Sequence, residues 1–211
     1  MYHFSYFKEK DKHIILDFIE EYPFAFLTGS FLSGEQVATQ IPFLAIEKNG
    51  ELYFQGHVMR NTDHHKAFME NPNALLVFSG PNCYVSASWY CHPQNGSTWN
   101  YMSVHVAGKV RFMNDAELIA FMRQFTLKFE NGNTASQTIY DNLPEEYVGK
   151  MMPAIVGIEI KAEKLDNVFK LSQNRDEESY LNIIAKLREK GGNSALIAEE
   201  MIKRKTMLFP D

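Results

Sequence analysis

The sequence has few cysteines, no basic excess and no long apolar run, and each shortage closes a class of reading. Cys83 and Cys91 are its only thiols, too few for a disulfide framework. The stretch up to His13 lacks the apolar centre of a secretion signal, and no apolar segment approaches the length of a membrane span. The expectation is a cytoplasmic protein with reduced thiols and no membrane association. Acidic residues outnumber Lys and Arg, 26 to 21, for a formal charge of -5. A chain of that sign carries no global footprint for nucleic acid, so any DNA contact needs a local basic patch. Glycine-rich nucleotide loops and nucleophile-elbow serines are missing, as are internal repeats. The ligand types His57, His64, His65, Cys83, Cys91 and His92 follow no familiar metal spacing. Neither a metal nor a catalytic residue is assigned.

What the chain does have is apolar and aromatic mass. Hydrophobic residues make up 45% of its 211, with 16 Phe and 10 Tyr, enough for a substantial core. The organising stretch runs from Ser79 to Phe112. From Trp99 onward it alternates: Asn100, Met102, Val104, Val106, Gly108, Val110 and Phe112 share one parity, and Trp99, Tyr101, Ser103, His105, Ala107, Lys109 and Arg111 the other. That is a long strand with one apolar and one chemically rich face. Cys83 to Ser88 reads as a shorter strand. The loop between them holds Trp89, Tyr90, His92, Pro93 and Gly96, and both tryptophans of the protein lie in or beside it. Two readings stand for these aromatics: the closure of one end of a core, or a hydrogen-bonding rim for a planar ligand.

Around this stretch the spacing predicts a helix over 11–22 with Asp11 as N-cap, a short strand over 24–28, and strands over 36–47 and 51–59 joined at Asn49-Gly50, a strong hairpin signal. In the second of these, Tyr53, Gln55 and His57 share the polar face. A short helix is expected over 64–70 and a strand over 74–78. Asn114 with Glu117 has capping-box spacing and opens a helix to about Glu130. Further strands are expected over 154–160 and 168–171, and two helices split at Gly191-Gly192 fill the tail. Antiparallel strands with inserted helices argue for an α+β domain built on a barrel or strongly curled sheet.

One place suits a phosphate. Gly56-His57-Val58-Met59-Arg60-Asn61 ends a strand and opens towards a helix, whose N-terminal amides and dipole favour an anion, and Arg60 adds a guanidinium fork. The alternative is a solvated turn. Lys170 to Arg175 is a second polar cluster at a strand end. The C-terminal pair has a helix-turn-helix outline, but its acids and bases cancel, which favours packing over DNA reading.

Six segments occur in one order: Ala38-Thr39-Gln40-Ile41-Pro42-Phe43, Gly56-His57-Val58-Met59-Arg60-Asn61, Tyr84-Val85-Ser86-Ala87-Ser88-Trp89-Tyr90, Thr98-Trp99-Asn100-Tyr101, Val104-His105-Val106-Ala107-Gly108 and Phe169-Lys170-Leu171-Ser172-Gln173-Asn174-Arg175. Together they resemble the PaiB-type family, the FMN-binding negative transcriptional regulators. Gln40 stands where that pattern has His, Thr62 where Asn61 is followed by Pro, and Ala87 where it has Pro. The resemblance implies an antiparallel split β-barrel of the pyridoxamine-phosphate-oxidase type, with peripheral helices and a C-terminal helical hairpin. It divides into a flavin-binding body over 1–175 and a helical extension over 176–211. It further implies FMN as cofactor and a homodimer with flavin at the subunit interface. Arg60, Asn61 and Lys66 would hold the phosphate, Thr39 would add a hydroxyl donor, and His57 would contact ribityl or ring atoms. Ser86, Trp89, Trp99, Tyr101 and Ser103 would form the ring side, and Lys170, Gln173 and Arg175 would approach from the strand end. The expected function is a transcriptional regulator or flavin-dependent sensor. The alternatives are a flavin-dependent oxidoreductase on a small molecule, or a haem-binding or haem-degrading protein.

Overall fold

A computed structural model describes residues 2, 4–92 and 95–210; Pro93, assigned above to the aromatic loop, lies outside them. In chain order the elements are α1 (Lys12–Glu21), β1 (Phe24–Ser30), β2 (Gln36–Pro42), β3 (Leu44–Lys48), β4 (Glu51–Met59), α2 (Asp63–Glu70) and β5 (Asn73–Val85). They continue with β6 (Thr98–Phe112), α3 (Asp115–Phe129), α4 (Glu145–Met151), β7 (Ile155–Lys170), α5 (Glu177–Lys190) and α6 (Gly192–Leu208). The local signals explain most of these. Asp11 accepts a hydrogen bond from His13 N and starts α1. Asn49 and Gly50 both adopt positive φ, 53° and 78°, as the two-residue turn between β3 and β4 requires. Asn114 and Glu117 complete a capping box at the start of α3, and Asp176 caps α5 through Ser179 N.

The strands form one antiparallel sheet in the order β2-β1-β5-β6-β7-β4-β3. Its two edge strands are consecutive in sequence, separated only by Phe43. In a flat sheet seven strands wide those edges would lie about 29 Å apart at about 4.8 Å per strand. One residue bridges only about 3.5 Å. The sheet therefore curls until its edges meet, and β2 touches β4. This is the α+β split barrel, with peripheral helices and the α5–α6 hairpin.

The chain divides into two compact units. The barrel unit comprises Ile19–Phe78 and His105–Leu165. Its interior holds Leu27, Phe43, Phe54, Leu76, Phe78, Val106, Ile158 and Ile160, all buried, with the Phe54 and Phe78 rings 5.4 Å apart. Gly56 lets Phe43 and Ile41 approach β4 closely. A second apolar cluster, Leu44, Met113, Leu118, Phe121, Met122 and Ile155, seats α3. The terminal unit comprises Met1–Phe18, Ser79–Val104 and Asp166–Asp211. Its core includes Tyr180, Ile183, Leu187, Ile197, Ala198 and Met201. The Tyr180 hydroxyl donates to Met201 O at 2.8 Å, tying α5 to α6.

Three strand readings are corrected. The span 36–47 is two strands, because the chain changes sheet edge at Phe43. Strands expected separately over 74–78 and 83–88 are one, β5, whose buried parity switches from Ala74, Leu76 and Phe78 to Pro81, Cys83 and Val85. One extra residue at Ser79-Gly80 shifts the pleat, as a β-bulge does. The segments over 154–160 and 168–171 are likewise one strand, β7.

Candidate functional site

The turn from β4 into α2 is built in the barrel unit and carries the candidate phosphate residues. Met59 ends β4, and Arg60 is then fixed by three hydrogen bonds to one segment. Its backbone N–H donates to Ala154 O at 2.9 Å, its Nε to Pro153 O at 3.1 Å and its Nη2 to Ile155 O at 2.9 Å. The guanidinium is held in place by neutral carbonyls, and among the described residues no carboxylate pairs with it. Asn61 follows with φ 66°, a left-handed conformation that Asn tolerates better than most residues. Its backbone N–H donates to His65 Nδ1 at 3.0 Å.

Helix α2 opens without a side-chain cap, because the Thr62 hydroxyl donates instead to Met59 O at 2.7 Å. Asp63 Oδ1 accepts from His64 N and lies 2.9 Å from His64 Nδ1, while His64 Nε2 lies 3.1 Å from Thr62 Oγ1. Lys66 is exposed on the first turn of the helix. The field here is positive: burial lowers the His65 pKa, and the further lowering comes from Arg60, His64 and Lys66. The one nearby acid, Asp63, is engaged with His64.

Thr39 sits half-buried on β2, paired in register with Leu27. His57, on the outer side of β4, is held among aromatics of α3, edge-on to Phe125 at 5.7 Å and 6.1 Å from Phe121. Burial lowers its pKa.

The other candidates belong to the terminal unit. Ser86 accepts from Ser88 N and so starts the single turn that carries Trp89, and the Lys190 ammonium lies 4.6 Å over the Trp89 ring. Trp99 is 55% exposed and edge-on to Tyr84. Trp99, Tyr101 and Ser103 line a shallow pocket of about 360 Å³ with Ser79, Gly80 and Asn82. Lys170 donates to Thr98 Oγ1 and to Trp99 O and lies over the Tyr2 and Phe7 rings. Burial and then Arg175 lower its pKa. Gln173 is turned back on its own backbone, accepting from Leu171 N and donating to Phe169 O. Arg175 lies 4.0 Å over the Tyr90 ring and donates to Asn95 Oδ1. Among the described residues, Tyr90 Oη is the one buried side-chain polar atom without a hydrogen-bond partner.

The candidates therefore fall into two groups, one in each unit. Thr39, His57, Arg60, Asn61 and Lys66 belong to the barrel unit; the other eight belong to the terminal unit. Sequence spacing does not single out His65 or Thr62 as parts of the β4–α2 turn. The only trace of their role is the four-residue interval from Asn61 to His65. Among the described residues no three His, Cys, Asp or Glu side chains are grouped to hold a metal ion, and no helix is long and apolar enough to cross a membrane.

The donor set of the β4–α2 turn fits a flavin phosphate. A dianion needs fixed cations and N–H donors, and the turn offers Arg60, Lys66, the Asn61 side chain and the uncapped end of α2. A family model described as "Putative FMN-binding domain" matches residues 1–164. The Bacillus subtilis protein named "Protease synthase and sporulation protein PAI 2" is 32% identical over 202 residues, spanning 95% of this chain and 96% of that one. Two solved structures share the fold at low identity. The FAD and heme binding protein from Mycobacterium smegmatis has a TM-score of 0.59 at 16% identity, over 88% of this chain and 80% of that one. The flavocytochrome Anf3 from Azotobacter vinelandii has a TM-score of 0.53 at 17% identity, over 86% and 78%. The chain belongs to the PaiB-type family of FMN-binding split-barrel proteins, and its cofactor is FMN.

Proposed function

We propose that the protein acts in the cytoplasm as a flavin-dependent regulator or sensor, a homodimer that holds the FMN phosphate at the β4–α2 turn. The observation that carries this reading is the pairing of a guanidinium braced on Pro153 O and Ile155 O with an uncapped helix end. Such an arrangement is preorganised for an anion, because the guanidinium is already braced on neutral carbonyls; at the helix end the His64 N–H is taken by Asp63 Oδ1. Arg60, Asn61 and Lys66 are the phosphate ligands in this reading. Thr39 supplies a hydroxyl, and His57 stiffens the strand that delivers the turn. Ser86, Trp89, Trp99, Tyr101 and Ser103, with Lys170, Gln173 and Arg175, are assigned to the ring side where two protomers meet. Bound there, FMN supplies a reversible electron acceptor.

A regulatory role is supported by the Bacillus subtilis relative, which is named for sporulation. The α5–α6 hairpin argues against direct reading of DNA by that element. Lys186, Arg188, Lys203, Arg204 and Lys205 are each paired with a glutamate, and Lys190 lies over Trp89. Phosphate contacts by these cations would first have to break those pairs.

Titration of the apoprotein with FMN and with riboflavin, followed by flavin fluorescence, tests the site. FMN is expected to bind more tightly than riboflavin. Arg60→Ala is expected to cost about 2–4 kcal/mol of FMN affinity by leaving the phosphate short of a charged partner, with riboflavin affinity little changed. Equal losses for both ligands, or none for either with the fold intact by circular dichroism, would move the phosphate elsewhere. The absorbance spectrum of the purified protein separates flavin from haem.

A further inference from the structure

The two adjacent histidines at the start of α2 have opposite hydrogen-bonding roles. Both ring nitrogens of His64 face oxygen atoms, Asp63 Oδ1 and Thr62 Oγ1. His65 Nδ1 instead faces the backbone N–H of Asn61 at 3.0 Å. A backbone N–H only donates, so this nitrogen must carry a lone pair. His65 in this geometry is the neutral imidazole with its proton on Nε2. The residue is 6% exposed and its ring is edge-on to Phe112 at 5.3 Å, so it cannot simply swing away.

The bond has a specific structural task. Asn61 is one of only four described non-glycine residues with positive φ. Its N–H is bonded by the imidazole one helical turn onward. That bond links the first turn of α2, which carries Lys66, to the residue beside Arg60. The phosphate donors of the turn are thereby held in one arrangement.

We propose, resting on the phosphate assignment above, that His65 is a positioning residue for FMN: its neutral imidazole holds the Asn61 turn in its binding form, so that proton uptake by His65 and FMN binding oppose one another. A proton on Nδ1 would set two N–H groups against each other and force the Asn61 turn open. The charged groups around His65 act in the same direction. Arg60 in the turn and His64 and Lys66 on α2 each disfavour a proton on His65. Asp63 is engaged with His64. On β6, Phe112 is uncharged and its neighbour Arg111 is committed to Glu117 and Glu159.

The test compares FMN affinity across about pH 5–8, the range in which histidine titrates, for the full chain and for His65→Asn. Asparagine offers an acceptor oxygen near the position of Nδ1 but takes up no proton. Titration of the FMN phosphate itself is common to both proteins and cancels in the comparison. The wild type is expected to lose about tenfold more affinity than His65→Asn between the neutral and acid ends, since each unit of coupled titration is worth a factor of ten. His65→Leu, which has no acceptor, is expected to bind weakly throughout. Where the Asn variant fails to fold, nitrogen chemical shifts of His65 in the wild type give the same answer: its titration midpoint should fall when FMN is added. A midpoint that rises, or pH profiles that coincide, overturns the role of His65 while leaving a preference for FMN over riboflavin untouched. No preference for FMN over riboflavin overturns the phosphate assignment and this inference together.

Discussion

Glu159 shows how a charge is made tolerable inside this molecule. Its side chain is 7% exposed, yet it receives Lys48 Nζ and Gln55 Nε2 on one oxygen, each at 2.6 Å, and Arg111 Nη2 on the other at 2.8 Å. Burial pushes its pKa up, but those hydrogen bonds outweigh it and hold the carboxyl at about 2, below its ordinary 4.5. A depressed carboxyl pKa contributes stability that is complete above the ordinary value and is lost as pH falls towards the folded one. Stability is therefore expected to decline between about pH 4.5 and about pH 2. Glu159→Gln should flatten that decline and cost about 2 kcal/mol near neutrality, discounted because Lys48 and Arg111 are half in water. Urea melts at both pH values check this; an unchanged acid slope would mean the network is not coupled to folding. None of this was visible from spacing. Tyr53, Gln55 and His57 read as a polar face, but the partner of Gln55 is on β7 and the partners of His57 are on α3. The turn at Arg60 was legible because strand end, basic residue and helix start are local. The carbonyls that brace it, Pro153 O and Ile155 O, lie too far along the chain to be inferred from the turn.

Strands and helices were legible wherever one residue type enforces the geometry. The Asn49-Gly50 turn and the Asn114–Glu117 capping box follow from local chemistry alone, and the parity of β6 names its buried face from Asn100 to Val110. The reading fails where tertiary contact redefines an element. Gly80-Pro81 looks like a break, yet β5 runs through it and changes faces; Phe43 looks like the middle of a strand, yet it carries the chain from one sheet edge to the other. Gly108 is a case where the sheet needs a missing side chain. A Cβ there would lie 2.1 Å from the carbonyl oxygen of Lys161 on β7, and a backbone oxygen cannot rotate aside. Gly108→Ala is expected to destabilise the protein by about 3 kcal/mol, at the upper end for overpacking. Thermal unfolding measures it, and a loss below about 1 kcal/mol, the usual gain from removing a strand glycine's entropy cost, would show that β6 and β7 can separate locally.

For the assembled protein, the proposed homodimer follows from surface left uncovered. Phe24 and Phe26 on β1 are 56% and 44% exposed, and Tyr84 and Trp99 on β5 and β6 are 44% and 55% exposed. Aromatic surface of this kind is enriched where proteins associate. Light scattering at micromolar concentration is expected to give twice the 24.3 kDa chain mass; a monomer mass would remove the basis for assigning the terminal-unit residues to a shared flavin site. The sheet that closes through Phe43 also governs how the chain comes to be folded. Strand β4 is paired on one side by β3, its immediate neighbour in sequence, but on the other by β7, with Tyr53 opposite Lys161. The β3–β4 hairpin therefore forms early and waits, one edge bare, until most of the chain has been synthesised. Contacts of such separation slow folding, and a bare hairpin edge invites pairing with another chain. Synthesis outpacing closure of this strand pair is expected to be where the protein loses yield to aggregation.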